Sequence, residues 1–320
     1  MHCTARRRKT LIASVLVAGV YWVALQQDPN PVDQVDPHCQ TDFRTKDVDS
    51  MQPLDMFKYL YWTNSSSCRI AHDFGGETVK FYYDIEEVDT GVKPIGNIDG
   101  QKTMCMDLGL APKSKNCLVY SFGINNQWSF DDAMESYGCQ IYAFDPSMSQ
   151  EDHDHTPNIH FFKLGIGSED VEHDPVTGWK LRTLESIYKM LILRHGNVPI
   201  DYLKMDVEDA EWEVIPQIIR SGMMTRVKQL AVEIHFNSEN SLDVVKRKLN
   251  VLKMIEDQSG GAMTRFGSRA NRVNNGLLLN HNVFNCLELA WYNSLYRKWI
   301  NPISCVDFKL SDKSLIDLVC

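Results

Sequence analysis

Along the last two-thirds of the chain, short apolar runs alternate with stretches whose apolar residues recur every three or four positions. Residues 117–122 (CLVYSF), 140–144 (QIYAF), 159–164 (IHFFKL), 201–205 (DYLKM) and 230–234 (LAVEI) read as strands, and 284–291 (FNCLELAW) as a late one. Residues 128–137, 184–193 and 211–221 read as helices between them. Leu242, Val245, Leu249 and Leu252 share one face of a longer helix. This alternation predicts an α/β fold, doubly wound around a mostly parallel sheet. Such sheets bind ligands beyond the carboxyl ends of their strands.

The preceding residues follow other rules. Residues 51–116 mix aromatics with Gly and Asp turns and are expected to form an N-terminal cap region on a main domain at 117–300, with 301–320 as a C-terminal extension. Residues 26–50, with three prolines and many acids, read as a stem or linker. Residues 11–25 are uncharged and mostly apolar, 15 residues behind the basic tail Arg6-Arg7-Arg8-Lys9 within residues 1–10. Such a run spans about 22 Å, short of the ~30 Å hydrocarbon core. It suits either a signal peptide or an N-terminal membrane anchor with its basic flank in the cytosol. Bulky Trp22 spoils the small-x-small cleavage pattern and favours the anchor. The expected location is the secretory pathway, as a single-pass type II protein of the ER or Golgi lumen, or secreted.

The sequon Asn64-Ser65-Ser66 agrees with that compartment. So do eight cysteines beyond the apolar run, which have no CxxC or zinc-finger spacing. They are expected to form disulfides, with buried thiols as the alternative, and no metal site is expected from them. The chain carries 33 basic and 42 acidic side chains, and four of the basic ones precede the apolar run. The remaining 29 against 42 make a strongly acidic surface, which argues against nucleic acid as a partner.

Candidate chemistry clusters at the strand ends. Gly123, after the first strand, lets a ligand approach the backbone closely, and Asp145, ending the second, is placed to hold the two hydroxyls of a ribose. Singly, each is an ordinary turn residue; together, at this spacing, they point to a nucleoside site. The glycines that seat a pyrophosphate in Gly-x-Gly-x-x-Gly are missing, so the spacing suits an adenosine cofactor without one, such as S-adenosylmethionine.

Ser121-Phe122-Gly123-Ile124-Asn125, Ala143-Phe144-Asp145-Pro146, Arg182-Thr183-Leu184-Glu185-Ser186, Leu203 through Glu211 (LKMDVEDAE) and Val232-Glu233-Ile234-His235 follow the order and spacing of a known set of blocks. They resemble the FkbM-type methyltransferases, over about residues 117–236. The wording VYSFGINNQWSFDDAM and the late ELAWYN segment are closer to the animal methyltransferase-like proteins of the secretory pathway. The resemblance implies a Rossmann-like, S-adenosylmethionine-dependent methyltransferase acting on oxygen, with a glycan or small hydroxyl compound as acceptor. It implies that Gly123, Asn125, Asp145 and Ser121 bind the cofactor. Asp206 is then the first candidate for the catalytic base or acceptor-orienting group, followed by His235 and Glu208. The chain departs from the pattern at Ser121, where the family has an acid, at Gln127, where it has a second glycine, and at Asp209, where it has a glycine.

Blander roles are expected for other charges: a Lys204–Glu208 ion pair between loops, and Glu211 as a helix-start charge. Asp152-His153-Asp154-His155 reads as a solvated acidic loop, though Asp152-x-Asp154 could serve a sugar-nucleotide transferase. Arg265, Arg269 and Arg272 read as a solvated loop, with gripping of an anionic acceptor as the alternative. A type II glycosyltransferase and a non-catalytic, methyltransferase-like binding protein therefore stand beside the methyltransferase reading.

Overall fold

The computed structural model describes residues 47–79, 97–257, 263–271 and 275–297. The basic tail, the apolar run, residues 26–46 of the stem, the C-terminal extension, Arg272, Cys39, Cys305 and Cys320 lie outside them, while the stem's last residues 47–50 are described and Val48 is buried in the core. Among the described residues no helix is long and apolar enough to cross a membrane.

Eight strands form the central sheet: β1 (Leu118–Phe122), β2 (Gln140–Phe144), β3 (His153–Asp154), β4 (Ile159–Phe162), β5 (Tyr202–Met205), β6 (Gln229–His235), β7 (Met263–Ala270) and β8 (Cys286–Asn293). Their order is β7-β8-β6-β5-β1-β2-β4-β3. Strands β4, β2, β1, β5 and β6 run parallel, β8 is antiparallel to both β6 and β7, and β3 is antiparallel to β4. The chain builds outward from β1 to β2 and β4, then returns to lay β5 and β6 on the other side. The β1–β5 boundary is thus the topological switch point, where open α/β sheets leave a crevice.

Five helices accompany the sheet: α1 (Pro53–Tyr61), α2 (Ser129–Tyr137), α3 (Leu184–His195), α4 (Glu211–Arg220) and α5 (Leu242–Asp257). Thr183 caps α3 by accepting from the Ser186 amide, and Gly138 ends α2 in the left-handed conformation. Every residue of β1, β5 and β8 is buried, as expected of strands covered on both faces. One face packs against α1, α3, α4 and α5, and α2 covers the other near β1 and β2.

The region expected as a cap shares these cores. Met56, Phe57, Tyr59 and Leu60 of α1 join the larger one, and Phe74 and Met104 join the smaller. An antiparallel hairpin of Ala71–Phe74 and Lys102–Cys105 crosses the sheet. The Gln229 side chain docks it, accepting from the Cys105 amide at 2.7 Å and donating to the Cys105 carbonyl at 2.9 Å. Tyr202 donates to the Thr103 carbonyl at 2.8 Å.

Two of the three Arg positions are not in a loop. Arg265 and Arg269 lie in β7, a strand the hydropathy pattern does not mark. Arg265 is 1% exposed, pairs with Glu256 and packs over the rings of Tyr59 and Trp291. Arg269 pairs with Asp73 of the hairpin. Both are structural, so no basic grip for an anionic acceptor forms from them.

Cys68 is bonded to Cys105, and Cys117 to Cys139. Constraining the unfolded chain in this way contributes about 3 kcal/mol for loops of this size. Replacing Cys117 and Cys139 together by Ser should lower stability by about that amount in a urea titration, and peptide mapping without reduction should recover both linked pairs from the parent protein.

Candidate functional site

Beyond the carboxyl ends of β1, β2, β5 and β6 lies a crevice of about 850 Å³, a volume typical of cofactor pockets. Its floor is built by the loop that leaves β1. Gly123 sits there at φ 79°, and a Cβ at this position would overlap the carbonyl oxygen of Asp206. Only glycine lets the ends of β1 and β5 come this close. Asn125 and Asn126 follow, also left-handed, at φ 45° and 60°.

Two buried charges pin this loop. One oxygen of Asp145 accepts from the amides of Ile124 and Asn125 at 2.9 and 2.8 Å, and the other from the amide and hydroxyl of Ser147. Lys204 donates to the carbonyls of Phe122 and Gly123. The expected Lys204–Glu208 pair therefore does not form. Lys204 serves the glycine loop, while the Glu208 side chain is 85% exposed and faces His235.

Gly123, Asn125, Asp145, Asp206, Glu208 and His235 all line the crevice. Ser121 does not. It is fully buried within β1, in register with Lys204 and Ala143, one residue short of the strand end, so its place as a cofactor contact is corrected. Gln127, where a second glycine was expected, lies in the lining, as do Glu77, Asp99 and Asn271 from the hairpin side and Asp174, Thr177 and Trp179 from the segment before α3. The sequence carried no signal for these last residues, because irregular segments bring them in.

Asp206, Glu208 and His235 come together. The His235 Nε2 is 3.9 Å from Asp206 and 3.6 Å from Glu208. Glu208 and Asp209 are left-handed at φ 49° and 75°, so the turn survives without its glycine. Asp209 is tied down by Lys248 at 2.6 Å and by the Trp212 indole at 3.1 Å. Glu211 is the helix-start charge expected, in the first turn of α4; it is also fully buried and accepts from both the amide and Nδ1 of His235, at 2.8 and 3.2 Å. Burial alone would pull the imidazole down, but the bond and charge of Glu211, with Asp206 and Glu208 beyond, lift it to about 9.

Sequence reasoning also missed Lys102. Fully buried on the hairpin, its ammonium reaches Glu288 at 2.5 Å, Glu233 at 3.2 Å and Asp206 at 3.4 Å. Burial would lower Lys102, but the charges of Glu288, Asp206 and Glu233 raise it instead. Glu233 is buried as well, yet Lys102 and the Asn271 amide hold it below the ordinary carboxylate range. Burial pushes Glu288 up to about 8 despite Lys102.

Asp152 and Asp154 are elsewhere. Asp152 accepts from the Lys163 amide, Asp154 pairs with His160 at the β3 edge, and neither lines the crevice. His155 stacks on Trp128.

Residues 64–276 match the family described as methyltransferase domain. The chain belongs to the methyltransferase domain family. Two curated methyltransferase relatives are each called "Probable methyltransferase-like protein 24". The Homo sapiens protein is 26% identical over 209 residues and the Rattus norvegicus protein 27% over 208, each covering 61% of this chain and 56% of the relative. The chain thus spans just over half the length of the relatives it matches. Among solved structures, a "putative methyltransferase from streptococcus mutans in complex with SAH" aligns with 58% of this chain and 91% of its own, at 12% identity and a TM-score of 0.31, too distant to argue from.

Among the described residues the lining of this crevice includes seven carboxylates and no Lys or Arg. That set fits a cofactor carrying a sulfonium cation and does not fit a pyrophosphate. Lys102→Met tests what holds the floor together. Three carboxylates would lose their shared cation, at a cost of about 3–5 kcal/mol. The deficit should be read by chemical denaturation across pH. It should be largest at alkaline pH and shrink as pH falls toward about 4, because without the cation the buried acids take up protons in the folded state well before the unfolded chain does, as Glu288 already does at about 8 beside Lys102.

Proposed function

We propose that this protein is an FkbM-type enzyme, similar to the animal methyltransferase-like proteins of the secretory pathway, that transfers a methyl group from S-adenosylmethionine to a hydroxyl of a secretory-pathway acceptor, a glycan or small hydroxyl compound. The observation that carries this reading is the crevice at the β1–β5 switch point, where the Gly123 loop, Asp145 and the Asp206–Glu208–His235 group meet in an acidic lining. Bound there, the cofactor supplies an electrophilic methyl group.

Gly123 and Asn125 would flank its methionine and ribose portion. Asp145 would reach the ribose hydroxyls while also bonding the loop amides, so its carboxylate sets the shape of the site as well as touching the ligand. Asp206 stands at the end of β5, placed to orient an acceptor hydroxyl or to take its proton, with His235 and Glu208 beside it. The fixed loop and the buried Lys102 hold these groups in one geometry, which is the main source of acceleration in an in-line displacement. The acidic lining disfavours nucleic acid as a partner.

The glycosyltransferase reading loses its residues, since Asp152 and Asp154 are spent on the sheet edge. Two disulfides favour an oxidising compartment, hence the lumenal or secreted placement with the N-terminal segment as anchor.

Calorimetry tests the cofactor. The protein should bind S-adenosylmethionine and S-adenosylhomocysteine and ignore a nucleotide sugar with manganese. Gly123→Ala, which forces β1 and β5 apart, should weaken that binding at least tenfold. No heat with either adenosyl ligand would return the protein to the non-catalytic alternative. Placement has its own check: the chain from secretory cells should lose mass on glycosidase treatment through Asn64 and resist protease in intact microsomes.

A further inference from the structure

His235 has two ring nitrogens, and the fold treats them differently. Nδ1 faces Glu211, which is fully buried and also accepts from the His235 amide, so ring and backbone are held by one oxygen. The second oxygen of Glu211 has no hydrogen-bond partner among the described residues. Nε2 is left toward the crevice, where Asp206 and Glu208 lie. The His235 carbonyl is clamped by Lys248 at 2.8 Å and the Trp212 indole at 3.3 Å, so the residue cannot slide along β6. A buried carboxylate spent on a ring that opens into a ligand crevice is a costly arrangement for stability alone.

We propose that Glu211 is a positioning residue that makes His235 the proton acceptor of methyl transfer, by fixing the tautomer in which Nδ1 carries the hydrogen and Nε2 presents its lone pair to the acceptor hydroxyl. This rests on the methyl-transfer reading above. In the step itself, the acceptor oxygen takes the methyl group, leaves the bonding pair on sulfur, and gives its proton to Nε2. The imidazolium so formed is stabilised by Glu211 and then returns the proton to solvent. Asp206, tied to Lys102 through its other oxygen, orients the hydroxyl.

The groups around the ring make this testable without a known acceptor. Glu211 of α4, Asp206 and Glu208 of the loop after β5, and Glu233 on β6 are acidic. Lys102 and Lys248 stand behind Asp206 and behind the His235 carbonyl, and buried Cys286 of β8 is in register with His235. With that surplus of negative charge the free protein holds His235 protonated at neutral pH. A sulfonium cation in the crevice opposes a second positive charge nearby, so its arrival should drive the proton off and ready Nε2 as a base. The neutral thioether should do so far less.

The experiment is histidine C2 hydrogen–deuterium exchange, read by mass spectrometry on the peptide containing His235, across pH, in the full chain. The midpoint should lie well above 6.5 in the parent. Glu211→Gln keeps the shape and replaces the unbonded oxygen, and should lower the midpoint by a unit or more, a tenfold change in proton affinity. Glu211→Asp should recover part of it. Saturating S-adenosylmethionine should lower the midpoint in the unaltered protein, and S-adenosylhomocysteine much less. An unchanged midpoint in Glu211→Gln, or equal effects of the two ligands, overturns the proposal. The ligand arm needs no variant, so a misfolded Glu211→Gln does not spare it. Failure to bind either ligand by calorimetry would sink methyl transfer itself. Binding without any movement of His235 would sink this proposal alone.

Discussion

Glu233 on β6 and Glu288 on β8 face each other directly across an antiparallel pair, both buried. Two ionised carboxylates at such a position would push the strands apart, and burial answers part of this by lifting Glu288 to about 8, so that it holds its proton at neutral pH. Here a single ammonium, Lys102, stands between them and reaches on to Asp206. The sheet needs β8 beside β6 to complete its edge, and the crevice needs Asp206 at the end of β5. Both conditions are met by one cation from a hairpin that is not part of the strand–helix alternation. The N-terminal region is therefore not an accessory laid over a finished domain. It supplies the counter-charge that the domain's own buried acids share.

The same economy appears on the other side of the crevice. Lys204 and Asp145 hold the Gly123 loop from opposite directions, one through carbonyls and the other through amides. Each is a charge whose neighbours are backbone dipoles, not an ion-pair partner. The loop's shape thus depends on two side chains at the ends of two different strands, and the departure at Gln127 leaves that support intact.

Much of this was legible in the chain. The strands β1, β2, β4, β5 and β6 and the helices α2 to α5 follow from short apolar runs and helical periodicity, and Gly123 and Asp145 from the meeting of a strand end with a turn residue. Lys102 was not legible, because a lone lysine in a short polar segment carries no sign that its ammonium will be buried among acids. Glu211 was read as a helix-start charge, which it is, but its bond to His235 was not legible, because only the return of β6 beside α4 brings that ring onto it. β7 was hidden because its charged residues, Arg265 and Arg269, break the apolar pattern; they are satisfied by α5 and the hairpin, distant in sequence. These three rest on long-range charge pairings, which periodicity does not record.

The bond between Cys68 and Cys105 lies three residues from Lys102, on the same strand of the hairpin. Its oxidation tethers the strand that carries the lysine. Before that bond forms, the segment is held to the sheet by hydrogen bonds, by the Lys102 ion pairs and by the packing of Met104, and the bond adds a covalent tether. Maturation of the site is thereby tied to the redox chemistry of the compartment in which the chain folds. The strand that presents the shared cation is therefore stiffer once these two thiols are joined.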